Sequence, residues 1–394
     1  MLSRTRTGST KFVKQLNRKD ILQLLKQKSM SRADLAKETR LSRPCISALV
    51  DEMIQEGWIY EAGIGQSRGG RKPILLDFNS QAFAVAGAIF EGSELQLAIA
   101  DLKGSILARY RTHLAQPNCG ETALQELESG LKVLLKDSGT DKNKLLGIGV
   151  GLPGITQRRS GTISYAPSTG WMGLPVQKEI EERLGLPVII DNDVNMMALG
   201  EYYEGVGAAF SNLVYMYVGT GIGAGIVLDG QLYRGSTEAA GEIGYMMIGA
   251  FGSRQFGDYG VFEQNYALPG IFQKTKKIYG DGVVDESESA VKQLAVRARN
   301  GDNKAEALLK DIFKHWTFGI ANVLSVLNPE LLILSGEMIH IHEEGLQEMM
   351  GQLASWVPVV PNIRKASLGQ QAGIVGAVHC VLESVSDQMP LTII

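Results

Sequence analysis

The stretch SRADLAKETRLSRPCISALVDEMIQE, residues 31–56, decides the fold of the N-terminal part of this chain. Ser31 followed by Asp34 predicts the start of a helix, because their side chains can satisfy backbone groups left free in a first helical turn. Ser42 predicts the cap of a second helix, and Pro44 is tolerated in that helix's first turn because its missing N–H costs little there. The second helix has one apolar face, at the spacing of a buried helix side, formed by Ile46, Leu49, Val50, Met53 and Ile54. The stretch therefore predicts two helices joined by a tight turn.

Four residues lie off that apolar face near the start of the second helix, namely Arg43, Pro44, Ser47 and Ala48. The first turns of a recognition helix contact base edges in the major groove of DNA, so we expect these residues to contact DNA. A two-helix hairpin in an ordinary helical core gives the same pattern, and the stretch alone leaves this alternative open.

Charge is distributed unevenly along the 394 residues. Residues 1–80 hold 15 Lys and Arg against 8 Asp and Glu, a net +7, whereas the rest holds 24 basic and 34 acidic residues, a net −10. A basic head on an acidic body indicates a polyanionic partner for the head alone. The three cysteines form no metal or redox spacing, and no apolar run reaches the length of a membrane span. We therefore expect a soluble cytoplasmic protein.

The remainder of the head predicts a helix over residues 17–28 before the quoted stretch and two strands, 58–61 and 73–78, after it. Between the strands lies the glycine-rich, basic segment AGIGQSRGGRK, residues 62–72. Its cations Arg68, Arg71 and Lys72 are predicted DNA contacts, since arginine among glycines suits a narrow minor groove. A solvated linker between domains is the alternative. Residues 1–80 form the predicted DNA-binding domain.

The body shows two rounds of an α/β pattern. Strands are predicted over residues 84–90, 95–101, 106–113, 145–150, 188–191, 213–218 and 222–228, with helices over 121–136 and 193–203 and a helical remainder. The first strand is almost continuously apolar, which is typical of a central strand. The repetition predicts a duplicated α/β domain with a cleft between two lobes.

Five body motifs carry a resemblance to a known family: LPG (152–154), DNDVN (191–195), GTGIGAGIVLDGQLYRG (219–235), GEIG (241–244) and NPELLILSGE (328–337). With GGRKP (69–73), they make the chain resemble the ROK family of repressors and sugar kinases, closest to its xylose-repressor branch. The resemblance implies a winged helix-turn-helix followed by an α/β, actin-like, ribonuclease-H-like body of the sugar-kinase type. It implies a first lobe of residues 81–192 plus 381–394 and a second lobe of 193–380.

The resemblance also implies a sugar in the cleft. Carboxylates and amides hold sugar hydroxyls well, and the family's sugar contacts match Asn192, Asp193, Glu242 and Glu263. Asp193 matches the residue that deprotonates the sugar in the family's kinases, although a helix N-cap is an alternative role. For Glu263 the alternative is a surface carboxylate. Ser168 and Tyr245 stand where the family carries Asn and a zinc-binding His, so they complete the predicted pocket.

Two departures from the family concern cofactors. Ile89 replaces the Asp that faces nucleotide phosphates and metal, and Glu91 interrupts the glycine pair beside it, so we expect no ATP site. Tyr245, Arg254, Phe256 and Val261 replace the zinc ligands, so we expect no metal. Packing of Phe256, Tyr259 and Val261 is expected to hold that loop instead. The glycines of residues 219–223 are expected to form a tight turn with positive φ.

Three functions fit these observations. The first is a DNA-binding repressor, homodimeric or a dimer of dimers on a pseudo-palindromic operator, controlled by a sugar or sugar derivative. The second is a ligand-independent regulator controlled by a protein partner. The third is a sugar kinase, against which Ile89 and Glu91 argue. The first is our expectation, which makes the chain a regulator and not an enzyme.

Overall fold

The computed structural model describes residues 10–66, 72–116, 119–166, 171–249, 259–282 and 284–388. Five residues named above lie outside these ranges, namely Arg68, Arg71, Ser168, Arg254 and Phe256.

The head contains three helices and a small sheet. In chain order they are α1 (Thr10–Gln27), β1 (Met30–Ser31), α2 (Arg32–Thr39), α3 (Arg43–Gln55), β2 (Ile59–Ile64) and β3 (Ile74–Phe78). The strands pair antiparallel in the order β1-β3-β2. The predicted helix over 17–28 lacks the first seven residues of α1. The sequence did not predict β1, because two residues carry no periodic signal.

The capping predicted from the quoted stretch is confirmed. The Ser31 hydroxyl accepts a hydrogen bond from the Asp34 N–H at 3.2 Å, and the Asp34 carboxylate accepts one from the Ser31 N–H at 3.1 Å. Ser42 caps α3 through the Cys45 N–H. Arg40 turns the chain between α2 and α3 with a left-handed backbone, φ +60°.

The body begins with a five-stranded sheet, which we call the first sheet. Its region contains β4 (Ala84–Glu91), β5 (Glu94–Asp101), β6 (Ile106–His113), α4 (Gly120–Ser138), β7 (Leu145–Leu152), β8 (Ile155–Gln157), β9 (Thr162–Tyr165), α5 (Val176–Leu184), β10 (Val188–Asn192) and α6 (Asp193–Tyr203). The strand order is β10-β7-β4-β5-β6. β4 is therefore central and pairs parallel with β7 and antiparallel with β5, as its apolar sequence predicted.

A second five-stranded sheet follows. Its region contains β11 (Leu213–Val218), β12 (Ile222–Leu228), β13 (Gln231–Leu232), α7 (Val261–Tyr266), α8 (Leu268–Tyr279), α9 (Ala290–Arg299), α10 (Asn303–Leu327), β14 (Leu331–Gly336), α11 (Glu343–Trp356), β15 (Asn362–Lys365) and α12 (Ala372–Gln388). The order is β13-β12-β11-β14-β15. The strands β14 and β15 lie in the part of the chain predicted to be helical. The sequence did not predict them because the parallel pairing of β14 with β11, and of β15 with β14, joins residues far apart in sequence.

The two sheets share one plan, which confirms the predicted duplication. In each, a central strand has two antiparallel neighbours in series on one side and two parallel strands in series on the other. Helices α6 and α12 pack on each other, and α12 also packs on β4 and β7. Ile89, Met196, Ile374 and Ala377 form part of the buried core there. The exact lobe boundaries stay a prediction.

The head and the first sheet share one hydrophobic core. Buried residues of the head pack with Val85 of β4 and with Val378 and Val381 of α12. The rings of Trp58 and Phe83 lie 4.4 Å apart across the connection between head and body. The head is therefore anchored on the C-terminal helix. Among the described residues, the helices are all too short or too polar to span a bilayer.

Candidate functional site

The exposed start of α3 is the first candidate site. Arg43, Pro44 and Ala48 are exposed and Ser47 is half-buried, whereas Ile46 and Leu49 are buried, so the helix separates its faces as predicted. The Ser47 carbonyl accepts a hydrogen bond from the Arg32 guanidinium at 3.3 Å. That contact ties α3 to the first residue of α2.

Ion pairs hold α3 in place from the side away from Arg43. Lys14 of α1 lies 2.7 Å from Glu52, and Arg18 pairs with Glu56. Arg32 lies 2.7 Å from Asp51. These pairs use the carboxylates of α3, so the exposed start of that helix keeps its positive charge. Lys72, next to β3, is exposed as well.

The second candidate site is a cavity of about 480 Å³ between the two sheets, which we call the cleft pocket. It brings together five of the six predicted sugar contacts from separate elements: Asn192, Asp193, Glu242, Tyr245 and Glu263. The sixth, Ser168, lies outside the described residues. No lysine, arginine or histidine is among the described residues that line this pocket.

Asn192 and Asp193, adjacent at the start of α6, have different roles. The Asn192 side chain accepts a hydrogen bond from the Asn195 N–H at 3.1 Å and donates one to the Gly154 carbonyl at 3.1 Å. Asn192 is therefore the helix cap, and the alternative that assigned this role to Asp193 is wrong. Because its neighbour caps the helix, the Asp193 carboxyl is left at the pocket wall.

The acidic groups of the pocket hold their protons unusually strongly. Burial, with the charges of Glu91 and Glu242, raises the pKa of Asp193 to about 8. Burial, with the charge of Glu263, raises the pKa of Glu242 to about 7. Burial also raises the pKa of Glu263, although its carboxylate accepts a hydrogen bond from the Ile222 N–H at 2.8 Å. Glu263 is thus a half-buried pocket residue, and the surface alternative is wrong.

Tyrosines supply much of the rest of the pocket, and sequence reasoning missed three of the four as pocket residues. Tyr245 packs edge to face on Tyr165, with ring centroids 6.2 Å apart. Tyr217 and Tyr259 line the pocket as well. Tyr217 comes from β11, where every residue is buried, so the sequence of that strand gave no sign that the Tyr217 ring reaches the cleft.

One hydrogen bond bridges the two sheets at the predicted nucleotide end of the cleft. The Tyr217 hydroxyl of β11 donates to the Glu91 carboxylate of β4 at 2.7 Å. Burial raises the pKa of Glu91, and this hydrogen bond opposes that shift. Ile89 is buried, and its side chain lies within 3.0 Å of the position that a Cβ would take on Gly151 or Gly373. Glu94 instead pairs with Arg111 on β6.

The glycines of residues 219–223 are required for a different reason from the one expected. None of the three has a positive φ, so the predicted positive-φ turn is wrong. A Cβ on Gly221 would lie 2.8 Å from the Glu263 carboxylate, and one on Gly223 would lie 3.2 Å from Val194. These glycines allow β12 to approach α6 and α7 closely, which brings Glu263 to the pocket.

The described part of the altered zinc motif offers poor metal ligands. Val261 is buried and packs as expected, but Tyr259 is 44% exposed and does not. Among the described residues, no three His, Cys, Asp or Glu side chains are arranged to hold a metal ion. The expected absence of a cofactor stays a prediction.

A buried ion pair behind the pocket was also missed. Asp191, the residue before Asn192, is 2% exposed and accepts hydrogen bonds from the Arg234 guanidinium at 2.7 and 3.0 Å. It also accepts one from the Asn195 side chain at 2.9 Å. Arg234 lies 43 positions away in sequence, so spacing gave no signal for the pair.

Comparisons with known proteins agree on one family. The family model described as "ROK family" matches residues 88–384. The xylose repressor of Caldicellulosiruptor bescii is 28% identical over 97% of this chain and 98% of its own length. A glucokinase of Halalkalibacterium halodurans is 29% identical over 72% of this chain and 91% of its own. A ROK family transcriptional regulator, described as a homologue of the Escherichia coli MLC protein, gives a TM-score of 0.78 at 23% identity and covers 96% and 98% of the two chains. At that identity the structural likeness shows the fold.

Proposed function

This chain belongs to the ROK family, and from that premise we propose that it is a DNA-binding transcriptional repressor of sugar-utilisation genes. A sugar or sugar derivative in the cleft pocket sets its affinity for the operator. The observation that carries the proposal is the pairing of a basic head with a pocket of sugar-binding side chains in one chain. The xylose repressor that matches nearly its whole length supports the same assignment and makes xylose the first sugar to test.

The head fits a winged helix-turn-helix. Helices α2 and α3 are the helix-turn-helix pair, and the β2–β3 hairpin is the wing that carries Lys72. Arg43, Pro44, Ser47 and Ala48 face the major groove, while Arg68 and Arg71 belong to the predicted wing tip. Phosphate contacts supply most of the affinity and base contacts the specificity. A dimer on a pseudo-palindromic operator doubles the readout of one small head.

The cleft pocket suits an uncharged sugar. Each hydroxyl of a sugar both donates and accepts hydrogen bonds, and the carboxyl, amide and phenol groups of the pocket supply partners for both. A phosphate ester would meet the acidic groups of Asp193, Glu242 and Glu263, with no cation among the described lining residues to pair with it. Aromatic Tyr245 and Tyr165 offer a face for the apolar side of a sugar ring.

Sugar phosphorylation is the second candidate, because a glucokinase is among the relatives and the pKa of about 8 at Asp193 suits a general base. Two features of the nucleotide end argue against it. Ile89 places buried apolar atoms where a kinase of this family has a metal-binding carboxylate. The hydrogen bond between Tyr217 and Glu91 joins the two sheets at the end of the cleft where a nucleotide would bind. We therefore propose that the chain is not an enzyme.

The deciding experiment measures binding of the full chain to its own promoter fragment by fluorescence anisotropy, with and without xylose and a panel of neutral sugars. Release of the fragment by one sugar supports the proposal. Arg43→Ala is expected to weaken binding to this fragment by about 1–3 kcal/mol and to leave binding to random DNA almost unchanged. Asp193→Ala is expected to keep DNA binding and lose the sugar response.

Three results would contradict the proposal in different ways. Tight binding that no sugar alters favours control by a protein partner. An equal preference for promoter and random DNA removes the repressor assignment. ATP-dependent phosphate transfer to a sugar by the wild-type chain, lost in Asp193→Ala, establishes the kinase.

A further inference from the structure

A second cavity, of about 870 Å³, lies where the head meets the body, and we call it the junction cavity. Its walls come from α1 of the head, from the β5–β6 and β8–β9 turns, from the segment around β13, and from α6 and α12. The charged residues that line it include five cations and one carboxylate: Lys19, Lys26, Lys103, Arg158, Arg234 and Glu383. This cavity is separate from the cleft pocket and shares no described lining residue with it.

The two arginines have one carboxylate between them. Arg234 makes two hydrogen bonds to the buried Asp191 carboxylate, and Arg158 approaches the same oxygen at 3.7 Å. One negative charge therefore faces two guanidinium groups. Both arginine side chains remain partly exposed, at 23% for Arg234 and 32% for Arg158, so their remaining N–H donors can reach the cavity.

Two lysines of the cavity wall, Lys26 and Lys103, add further positive charge. Among the described residues, no carboxylate lies within ion-pair distance of Lys26 or Lys103; the Lys26 ammonium lies 5.1 Å from the centre of the Phe78 ring. Although Lys26 keeps contact with solvent, the surrounding protein lowers the pKa of its ammonium. An anion bound beside this ammonium would favour its charged form and offset that cost of burial.

Two carboxylates at or near this cavity contact aromatic rings of its wall. Glu383 accepts a hydrogen bond from the Tyr203 hydroxyl, and Glu204 lies 2.8 Å from the His379 ring nitrogen. His379 itself stacks on the Tyr203 ring at 4.5 Å. Since Glu383 is the one carboxylate among the described residues that line the cavity, its walls carry a surplus of positive charge.

We propose that the junction cavity binds a small polyanion, either a phosphate ester or a di- or tricarboxylate, as a second effector distinct from the sugar in the cleft. Guanidinium groups present a planar fork of donors that matches phosphate and carboxylate oxygens, and lysines add mobile point charges. An open cavity of this size accommodates a metabolite of several carbons.

Such a ligand would touch the head and both sheets at once. Lys26 belongs to α1, Arg158 follows β8 in the region of the first sheet, and Arg234 follows β13 of the second sheet. Because α1 also carries the ion pairs to α3, a ligand that fixes α1 on the body fixes the position of the recognition helix. Any effect of the anion on DNA affinity must be matched by an equal effect of DNA on anion affinity.

The test is calorimetric titration of the full chain, without DNA, with inorganic phosphate, glucose 6-phosphate and citrate, at constant ionic strength set by KCl. We expect at least one of them to bind. Whether the phosphate compounds or citrate bind more tightly identifies the effector as a phosphate ester or a carboxylate. The variant Lys26→Gln/Lys103→Gln should bind it about tenfold more weakly or worse. Lys136→Gln/Lys144→Gln, which removes two exposed lysines that do not line the cavity, should bind it like the wild type.

Three outcomes would overturn the proposal. One is that no probe binds the wild type more tightly than chloride does. Another is an equal loss in both double variants, which means general screening of surface charge. The last is unchanged anion binding in Lys26→Gln/Lys103→Gln. If fluorescence anisotropy then shows that this variant binds random DNA more weakly, these lysines are contacts of the DNA backbone. A xylose titration of the same variants, expected to be unchanged, reports on the cleft separately.

Discussion

The cleft pocket and the junction cavity are separate and differ in charge, and residues that are close in sequence at the start of α6 face the two in different ways. Asp191 and Asp193 are two positions apart, yet Asp191 faces arginines of the junction cavity and Asp193 faces the acidic cleft pocket. The same type of side chain is thus an ion-pair partner on one side and a group with a pKa of about 8 on the other. Environment, and not residue type, decides what each carboxyl can bind.

The largest expected effect is on stability, through the ion pair beside the junction cavity. Arg234→Ala should lower the free energy of unfolding by about 3–5 kcal/mol, because it leaves the buried Asp191 carboxylate without its main partner. Urea denaturation at pH 7 measures the loss. Asp191→Asn combined with Arg234→Gln is the control, since it removes both charges and should recover part of the stability. A loss below about 1 kcal/mol in Arg234→Ala would show that Arg158 is an adequate replacement.

The variant Asp193→Asn tests the raised pKa in the cleft pocket. A raised pKa means that the folded state holds a proton that the unfolded state has lost, so wild-type stability should fall as pH rises from about 5 to 8. The slope is up to about 1.4 kcal/mol per pH unit. The variant should lack this contribution and gain stability on the wild type towards pH 8. Thermal unfolding at pH 5, 6, 7 and 8 measures the slope, and parallel curves for the two proteins would contradict the assignment.

A smaller effect is expected at the bridge between the sheets. Tyr217→Phe should cost about 1–2 kcal/mol, because the half-buried Glu91 carboxylate loses its hydroxyl donor. The cost should shrink at low pH, where Glu91 is protonated. Glu91→Gln is the matched variant, since its amide still pairs with the Tyr217 hydroxyl and avoids the buried charge. If Tyr217→Phe loses the same stability at every pH from neutral down to the acid limit of folding, its cost comes from packing and not from the hydrogen bond.

The smallest effect is expected at a lysine of the junction cavity. Lys26→Gln should change the stability of the free protein by no more than about 0.5 kcal/mol, because its ammonium has no ion-pair partner among the described residues to lose. Denaturation in low and high salt measures this. A clear loss of stability would show that Lys26 supports the head–body contact and would weaken the case that its charge serves a ligand.

Local sequence patterns identified much of the site. The capping of α2 and α3 follows from Ser31, Asp34 and Ser42, since these interactions span only a few residues. The glutamates of the pocket followed from family motifs. The function of Asn192 as the cap did not, because a choice between two adjacent residues depends on backbone geometry.

By itself, the sequence determined the order of most elements, the central position of β4, the polarity of α3 and the residue types of the pocket. Short-range hydrogen bonds, apolar periodicity and family motifs are enough for these features. Only the tertiary structure decided which groups meet across the sheets, such as Glu91 with Tyr217 and Asp191 with Arg234. Such contacts depend on long-range packing and on the burial that it produces. The opposite charge of the two cavities follows from that packing.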